Sequence, residues 1–385
     1  MLRLALAIAV AGLRLIYVPL RFRRRQDLLL LISRQYSSTS DDFQRIADES
    51  QRVSPRTKVV ILNHRSTRNL VIETGRLLKQ MWYIAVARAV IVDTYIIPIS
   101  VLPPIPDRPV IQIWHAIGAI KKFGMLSIGT DEGASTSVAR GMHMHQGYSM
   151  VACGGEWAQE TLAAGFGVPL EQVKSTGQPR HDALVDTVAE GAGRARIQAA
   201  YPEVLDGRPI ILYAPTMRRG EELDLFDLRK ALSGLDAHIV VSLHPLDNLT
   251  TVPSGFVNGH EVSTNDWLAV TDHLITDYSA IGLEAAVLGI PVWFYVFDIE
   301  DYRKSPGLLI DPLIDLPEIS ASNRKELRVL LQSALTTSPS QSIKARWKSL
   351  SEGFGTCIDG HATRRILAEC GLLDEQDSSS SSETR

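Results

Sequence analysis

The segment Leu274-Ile-Thr-Asp-Tyr-Ser-Ala-Ile-Gly-Leu-Glu284 carries the clearest information about the fold. An apolar run ends in Asp277, Tyr278 and Ser279, and a stretch with helical character begins at once. The start of a helix presents unpaired backbone N–H groups and the positive end of a dipole, so it can hold a phosphate. Ser279 is a residue type favoured as an N-cap, and the Glu284 carboxylate can accept hydrogen bonds from ribose hydroxyls. The segment therefore predicts a strand, a turn and a helix around a nucleotide diphosphate.

The same alternation of short apolar runs and helical stretches extends over both halves of the chain. The apolar runs are Leu28–Ile32, Val59–Leu62, Val90–Asp93, Ile111–Trp114, Met150–Cys153, Val173–Thr176, Ile210–Ala214, Ile239–Leu243, Leu274–Thr276 and Val292–Val296. Short buried strands that alternate with helices form parallel sheets with helices on both faces. We therefore expect an α/β protein with two doubly wound, Rossmann-like domains that face each other across a cleft.

The length of 385 residues favours two domains of ordinary size. Composition predicts their boundaries. Residues 186–200 are rich in Ala, Gly and charge and are expected to form a surface helix or a linker, with the linker placed at 188–206. The five consecutive serines near the end predict a disordered tail. The predicted parts are an amphipathic membrane-associating segment at 1–26, an N-terminal domain at 27–187, the linker, a C-terminal domain at 207–340, helices that pack back across the domains at 341–372, and the tail at 373–385.

Charge and cysteine content narrow the function. The formal net charge of −3 gives no overall basic field, so a nucleic acid partner is not expected. Three widely spaced cysteines offer neither a disulfide framework nor a metal site, which fits a reducing cytosol. His143 and His145 are interpreted as surface residues because no third metal ligand stands nearby, and we predict no metal site.

The N-terminal residues 1–20 are mostly apolar, and a cluster of arginines follows at 21–25. At about 100° per residue, Arg3, Arg14 and Arg21 fall on one face of a helix. A basic stripe on an apolar helix is typical of a segment that lies in a membrane interface. A single membrane-spanning anchor and a core helix of the first domain are the alternatives.

Four predicted strands end in side chains that can bind or catalyse, and ligands of open α/β sheets bind beyond the carboxyl ends of strands. His115 follows one of these strands. If a helix began directly after it, the positive end of that helix would keep the imidazole neutral and able to accept a proton as a general base. Lys121 would lie on the same helix. The other three strands end near Thr216 and Arg218, at His244, and at Asp277–Ser279.

Arg218 is the preferred phosphate ligand, because a guanidinium can bind phosphate oxygens bidentately. Thr216 adds a hydroxyl donor. Pro245 restricts His244 to extended geometry, so its ring either contacts donor phosphates or caps a sheet edge. Arg180 either lies at the rim of the cleft between the domains or belongs only to a turn before a helix.

Several of these segments match family motifs in their order along the chain: Gln112-Ile-Trp-His-Ala116 with Lys121 and Gly124, Thr176-Gly-Gln-Pro-Arg180-His-Asp182, Tyr213-Ala-Pro-Thr-Met-Arg218, Leu243-His-Pro245, Thr276-Asp-Tyr-Ser279, and Pro291-Val-Trp-Phe-Tyr-Val-Phe-Asp298-Ile-Glu-Asp-Tyr302. In this order the set resembles the CDP-glycerol glycerophosphotransferase family of wall teichoic acid synthesis. Each motif is weak alone, but together they cover nearly the whole chain.

The resemblance implies a GT-B fold and attack of an acceptor hydroxyl on the β-phosphate of CDP-glycerol or CDP-ribitol, with CMP leaving. It implies a polyprenyl-linked saccharide acceptor and peripheral binding at the cytoplasmic face of the membrane. By position, His115 corresponds to the base and His244, Arg218, Thr216 and Ser279 to donor-phosphate ligands. No cofactor is implied besides the donor substrate.

Two other classes of function remain open at this point. A GT-B glycosyltransferase or a nucleotide-sugar 2-epimerase would also place a carboxylate on the helix after the phosphate site. A non-catalytic, membrane-associated nucleotide sensor on a degenerate transferase fold would keep the same nucleotide-binding residues without turnover.

Overall fold

The computed structural model describes residues 2–35, 37–65, 67, 69–130, 133–189, 191–218, 222–244 and 247–373. The predicted disordered tail lies almost wholly outside these residues, as does Pro245. The chain forms two compact units, one made of residues 1–117, 123–183 and 357–385 and the other of residues 118–122 and 184–356. We call them unit 1 and unit 2.

Each unit is built on a six-stranded parallel sheet. The strands are β1 (Leu28–Ser33), β2 (Lys58–Asn63), β3 (Ala89–Val92), β4 (Val110–Gln112), β5 (Met150–Ala152) and β6 (Val173–Lys174) in unit 1, and β7 (Ile210–Tyr213), β8 (His238–Val241), β9 (Val257–Asn258), β10 (His273–Thr276), β11 (Val292–Tyr295) and β12 (Ser320–Ala321) in unit 2.

Helices connect the strands of both sheets. They are α1 (Leu2–Leu20), α2 (Asp41–Val53), α3 (Leu70–Val86), α4 (Ile97–Val101), α5 (Thr136–Gly141), α6 (Glu156–Phe166), α7 (Pro179–Ala189), α8 (Ala192–Ala200), α9 (Phe226–Leu232), α10 (Thr264–Leu268), α11 (Ile281–Val287), α12 (Ile299–Lys304), α13 (Pro312–Asp315), α14 (Arg324–Thr336), α15 (Gln341–Phe354) and α16 (Ala362–Glu369).

Both sheets are doubly wound. The strand order is β2-β1-β3-β4-β5-β6 in unit 1 and β12-β11-β10-β7-β8-β9 in unit 2. The connections reverse direction between β1 and β3 in the first sheet and between β7 and β10 in the second. Crevices that bind ligands form beyond the carboxyl ends of strands at such switch points. The topology therefore indicates one candidate crevice in each unit.

The core of unit 1 shows why these residues form strands. Leu29 and Leu31 of β1 and Ala89 and Ile91 of β3 lie two residues apart, so they face the same side of the sheet. They pack against apolar residues of α2 and α16, including Phe43 and Ile46 of α2 and Ile366 and Leu367 of α16. Helix α16 therefore completes the core of unit 1 although it lies near the end of the sequence.

A short segment after His115 belongs to unit 2. Lys121 forms an isolated antiparallel bridge with Leu308, and the Lys122 backbone N–H donates to the Gly307 carbonyl at 2.9 Å. A Cβ added at Gly118 would stand 2.2 Å from the Phe354 ring, so only glycine permits this approach. These contacts bind residues 118–122 to the rest of unit 2, and no helix follows His115 here, so the predicted helix is wrong.

Of the two alternatives for residues 186–200, the helix is the one observed, since Ala192–Ala200 form α8. Helix α8 packs against α10, and Arg196 forms an ion pair with Asp266 at 2.6 Å. Unit 2 therefore begins at Leu184 within α7, before the expected boundary. The predicted C-terminal helices are present, with α15 in unit 2 and α16 in unit 1.

Candidate active site

The switch point of unit 2 holds a buried carboxylate at the end of β10. Asp277 is fully buried. One carboxylate oxygen accepts hydrogen bonds from the backbone N–H groups of Thr216 at 2.8 Å and Tyr278 at 2.6 Å. These bonds join the segment after β7 to the segment after β10. Asp277 therefore fixes the backbone of the crevice, and its negative charge makes it unsuited to bind phosphate directly.

Arg218 lies between two carboxylates. Its Nη1 donates to Asp277 at 2.5 Å and to the Thr216 carbonyl at 2.6 Å, and its Nε and Nη2 donate to Asp298 at 3.2 Å and 2.7 Å. Burial disfavours the charge, but the two carboxylates outweigh this effect and raise the pKa of Arg218 above its usual value. A guanidinium has five N–H groups, so four are already used. The structure does not support the expected bidentate grip on phosphate by Arg218.

Aromatic rings surround this ion network. The Tyr278 hydroxyl donates to Asp298 at 3.1 Å, and its ring stacks on Tyr302 with the centroids 3.8 Å apart. The Arg218 guanidinium lies 5.4 Å from the centroid of Tyr302. Lys121 Nζ lies 5.6 Å from the same ring. Lys121 is thus brought to the donor-side cluster of unit 2 and does not lie in the first domain as predicted.

Thr216 keeps an unused donor in this crevice. Its hydroxyl is buried and has no hydrogen-bond partner in the described part of the chain. A buried polar group without a partner costs free energy, so such a group is typical of a site that a ligand completes.

The remaining donor-side candidates follow β8 and β10. His244 is exposed at the end of β8, the neighbour of β7. Helix α11 begins at Ile281 with Ala280 at its N-cap position and without a side-chain cap, so the expected capping role of Ser279 is wrong. Glu284 is only 3% exposed, which does not favour a direct ribose contact. Ligand binding by His244, Ser279 and Glu284 stays a prediction.

The switch point of unit 1 lies near His115, which follows β4. His115 Nδ1 lies 3.4 Å from the Asp93 carbonyl oxygen. A carbonyl can only accept, so Nδ1 carries the proton and Nε2 is left as the basic nitrogen. Burial lowers the pKa of His115 to about 4. The His115 imidazole is therefore neutral, as expected, but the cause is desolvation and not the dipole of a following helix.

The loop that carries His115 has unusual backbone geometry. Trp114 has a φ of +58°, which L-residues rarely adopt. The Gln112 side chain accepts from the Trp114 backbone N–H at 2.9 Å, and the Trp114 ring stacks on Phe123. The Gln178 amide donates to the carbonyls of Ile113 at 2.6 Å and Ala116 at 3.1 Å. Bonds on both sides of His115 thus hold the ring in one orientation.

Charged groups near His115 were only partly predicted. Arg180 forms an ion pair with the buried Asp42 at 3.1 Å, and both act electrostatically on the imidazole. Asp93 is 2% exposed, one of its carboxylate oxygens has no hydrogen-bond partner among the described residues, and burial raises its pKa to about 6. Arg180 therefore remains a candidate residue of the site around His115. Asp93 is added to that site.

The family model described as CDP-glycerol:poly(glycerophosphate) glycerophosphotransferase matches residues 16–370. The chain belongs to this glycerophosphotransferase family. It is an enzyme of the transferase class, and the predicted family is confirmed.

Curated proteins similar to the chain are teichoic acid primases and polymerases. A teichoic acid ribitol-phosphate primase of Bacillus spizizenii is 29% identical over 73% of the chain and 75% of its own length. A glycerol-phosphate primase of Bacillus subtilis is 27% identical over 72% and 73%. A poly(ribitol-phosphate) polymerase of Bacillus spizizenii is 32% identical over 79% of the chain, which spans 49% of that polymerase.

Solved structures confirm the GT-B fold. A variant of the wall teichoic acid polymerase TagF matches with a TM-score of 0.69 at 18% identity and covers 99% of both chains. A UDP-GlcNAc 2-epimerase from Neisseria meningitidis matches with a TM-score of 0.52 at 12% identity, over 90% of this chain and 99% of its own. At these identities the likeness concerns the fold alone.

Sequence reasoning missed several residues of the candidate site. Asp298 and Tyr302 stood in the Pro291–Tyr302 motif but received no role, and Asp93 was counted as the last residue of a strand. His145 was expected at the surface, yet it is 3% exposed and its Nδ1 lies 3.0 Å from the Tyr148 hydroxyl. Within the described ranges, no cluster of three His, Cys, Asp or Glu side chains is arranged to hold a metal ion.

Proposed function

We propose that the chain transfers glycerol phosphate, or a related polyol phosphate such as ribitol phosphate, from a CDP-polyol donor to a hydroxyl of a polyprenyl-linked saccharide or teichoic acid chain. The observation that carries this proposal is His115. Its Nδ1–H donates to a backbone carbonyl, its Nε2 is left basic, and burial keeps the ring neutral at physiological pH. A neutral imidazole with an unprotonated Nε2 can accept a proton, as a general base must.

In the proposed step, His115 Nε2 removes the proton of the acceptor hydroxyl while the hydroxyl oxygen attacks the β-phosphorus. A new P–O bond forms, the bond from the β-phosphorus to the bridging oxygen breaks, and CMP leaves with that electron pair. Positioning and cationic stabilisation supply most of the barrier lowering in phosphoryl transfer. No covalent enzyme intermediate is required.

Unit 2 is proposed to bind the donor at its switch point. The Thr216 hydroxyl offers a buried hydrogen-bond donor. Lys121 supplies a positive charge, and the His244 ring supplies a hydrogen-bonding nitrogen. Arg218 retains one N–H group beyond its four hydrogen bonds to the protein. We therefore propose that Asp277 and Asp298 hold Arg218 and Tyr278 in place. Unit 1 is proposed to bind the acceptor.

The donor is tested by incubating the protein and a prenyl-diphosphate disaccharide with CDP-glycerol, CDP-ribitol or UDP-GlcNAc. We expect CMP release with one of the CDP-polyols only when the acceptor is present. Release of UDP, or epimerisation of UDP-GlcNAc, without any CMP would refute the proposal. Tight nucleotide binding without turnover of any donor would instead support a sensor.

We further propose that unit 1 binds the cytoplasmic face of the membrane through α1. This helix has 19 residues and is long and apolar enough to cross a membrane. Only Val10 and Tyr17 are buried, which does not fit a core helix. Arg14 donates to the Val101 carbonyl at 2.7 Å and Arg21 to the Pro104 carbonyl at 3.4 Å. Two of the three arginines of the predicted basic stripe thus contact the protein.

The apolar face of α1 points away from these contacts and continues onto α3. Ile8 and Leu15 are 63% and 75% exposed, and Leu70 and Val71 at the start of α3 are 80% and 82% exposed. Exposed apolar patches of this kind mark membrane or protein interaction sites. The arginines at 21–25 lie at the end of α1, where anionic lipid headgroups would attract them.

Membrane binding is tested by sedimentation with anionic vesicles. The double variant Ile8→Gln and Leu15→Gln should reduce the bound fraction severalfold, because two apolar side chains leave the interface. Leu170→Gln is the matched control, since Leu170 is 49% exposed elsewhere on unit 1. Equal loss in the control, or no loss in the double variant, would contradict this binding face.

A further inference from the structure

A cavity of about 660 Å³ lies in unit 1 at the edge of the sheet opposite the candidate base. It is lined by Val90 near the start of β3, Val110 at the start of β4 and Ser149 just before β5. His115 follows the carboxyl end of β4, so the sheet separates the cavity from the candidate base. Its volume is in the range of cavities that hold small ligands. The proposed transfer reaction does not account for it.

The wall of this cavity is mostly apolar. Ile99, Leu102 and four prolines contribute to it, and the prolines are Pro98, Pro103, Pro104 and Pro109. Proline has no backbone N–H, so this wall offers few hydrogen-bond donors. Such a surface suits a hydrocarbon chain better than a sugar or a nucleotide.

Two guanidinium groups lie at the cavity. Arg25 and Arg108 both line it, and Arg108 also donates to the Ala85 carbonyl. Burial lowers the pKa of Arg108, and the positive charge of Arg25 lowers it further. In the part of the chain that the structure describes, no carboxylate forms a salt bridge with either group. Of the two acidic side chains at the cavity, Glu369 is paired with Lys174 and Asp107 is exposed.

The cavity adjoins the apolar helix α1. Tyr17 of α1 lines it, and Arg25 follows the end of that helix. Two unpaired cations beside an apolar cavity, next to a helix with an exposed apolar face, match a ligand with an anionic head and a hydrocarbon tail. A phosphodiester accepts hydrogen bonds from arginine in the geometry that a guanidinium offers.

We propose that this cavity binds an anionic membrane phospholipid, with one acyl chain among the prolines and the phosphate between Arg25 and Arg108. The bound lipid ties unit 1 to the bilayer at a second point beside α1. The site is separate from the proposed transfer reaction, and its test does not depend on turnover.

The test uses the full chain with vesicles that contain phosphatidylglycerol carrying a diazirine in one acyl chain. After irradiation, adducts are mapped by mass spectrometry to residues 98–110, which include much of the cavity wall, and to surface positions 2–16 of α1 and 70–78 of α3, which do not line it. We expect adducts at both places with phosphatidylglycerol. With the corresponding phosphatidylcholine probe the adducts at residues 98–110 should fall severalfold relative to those on α1 and α3.

Three variants decide the assignment. Arg25→Gln and Arg108→Gln should each lower the ratio of cavity adducts to surface adducts about fivefold, since one cation near a lipid phosphate is lost. Arg24→Gln removes the same charge from a residue that does not line the cavity, so it should leave the ratio unchanged. Ile105→Trp fills the cavity from a half-buried position and keeps both arginines; it should abolish cavity adducts while vesicle binding persists.

The proposal is overturned if adducts form only at positions 2–16 of α1 and 70–78 of α3, or if Arg24→Gln and Arg25→Gln change the ratio equally. It also fails if Ile105→Trp leaves the cavity adducts intact. Thermal melts of each variant identify any that unfold. The lipid site is then judged from the variants that stay folded.

Discussion

The two switch points carry opposite electrostatic arrangements. In unit 2, Arg218 is bonded to two carboxylates and its charge is compensated. In unit 1, His115 is neutral and one carboxylate oxygen of Asp93 lacks a hydrogen-bond partner among the described residues. The same topology thus supports a rigid charged network in one unit and a poorly solvated titratable site in the other. This difference suits donor positioning on one side and proton transfer on the other.

Removal of the central cation should have the largest effect. In Arg218→Ala, Asp277 would be left as a buried charge without its partner, which costs about 3–5 kcal/mol of unfolding free energy. Chemical denaturation measures this loss. Arg208→Ala is the control because its pair with Asp206 is exposed, and such pairs contribute about 0–1 kcal/mol. Similar losses of unfolding free energy in both variants would show that the Arg218 network contributes no more to stability than an exposed ion pair.

Loss of the candidate base should follow in size. His115→Ala is expected to reduce kcat by about 100-fold or more, the usual contribution of general-base catalysis, with the Kd of the CDP-polyol nearly unchanged. Because the pKa of His115 is about 4, the ring is unprotonated at neutral pH, and its protonation should limit the rate only in acid. His260→Ala, at an exposed position, is the control. Weaker donor binding with a normal kcat would contradict the assignment.

Asp93→Asn should stabilise the protein at neutral pH. The pKa of Asp93 is raised from 3.8 to about 6, so the folded state holds the proton more tightly than the unfolded state. Stability is therefore lost as pH rises from about 4 to about 6, by roughly 2–3 kcal/mol for this shift. Asparagine does not titrate, so the variant avoids that loss. Its gain in stability over the parent chain should be complete above pH 6 and absent near pH 4. Melting curves at both pH values measure it.

Asp42→Asn is the control, and its effect on stability should have the opposite sign. Asp42 is also buried, but it is paired with Arg180, so its replacement should lower stability at neutral pH. If both variants shift the melting temperature in the same direction, the contrast between an unpaired and a paired carboxylate beside His115 is wrong.

The smallest effect is expected at the donor side. Thr216→Val keeps the shape of the side chain and removes a hydroxyl without a partner in the described chain, so stability should not fall. Loss of one hydrogen bond to the donor, about 1 kcal/mol, should raise its Kd roughly fivefold. Isothermal titration with the CDP-polyol measures this value. Unchanged binding would exclude Thr216 as a donor ligand.

The sequence predicted the strands well where they are long and buried. All ten apolar runs contain strands, including Leu28–Ser33 and Ile210–Tyr213. The strands it missed are Val257–Asn258 and Ser320–Ala321, which have two residues each and lie at the edges of the second sheet. Edge pairs this short depend on neighbouring strands and have no apolar run of their own.

The sequence located candidate residues where they follow recognisable strands, and it missed features that depend on long-range contacts. His115 and Arg218 follow strands as expected. Asp93 obeys the same rule, since it ends the apolar run of β3, but it was assigned to the strand itself. The helical pattern after His115 was overridden by the packing of Gly118 on Phe354 and the bridge of Lys121 with Leu308. Partners so distant in sequence leave no local pattern.

The chain passes between the two units four times, at residues 117, 122, 183 and 356. A fragment that ends at residue 187 would lack α16, which covers the core of unit 1. The complementary fragment would lack residues 118–122, which are bonded to Gly307 and Leu308 in unit 2. Neither half can therefore be expressed as a complete module, and a single crossover with a relative would exchange neither unit intact.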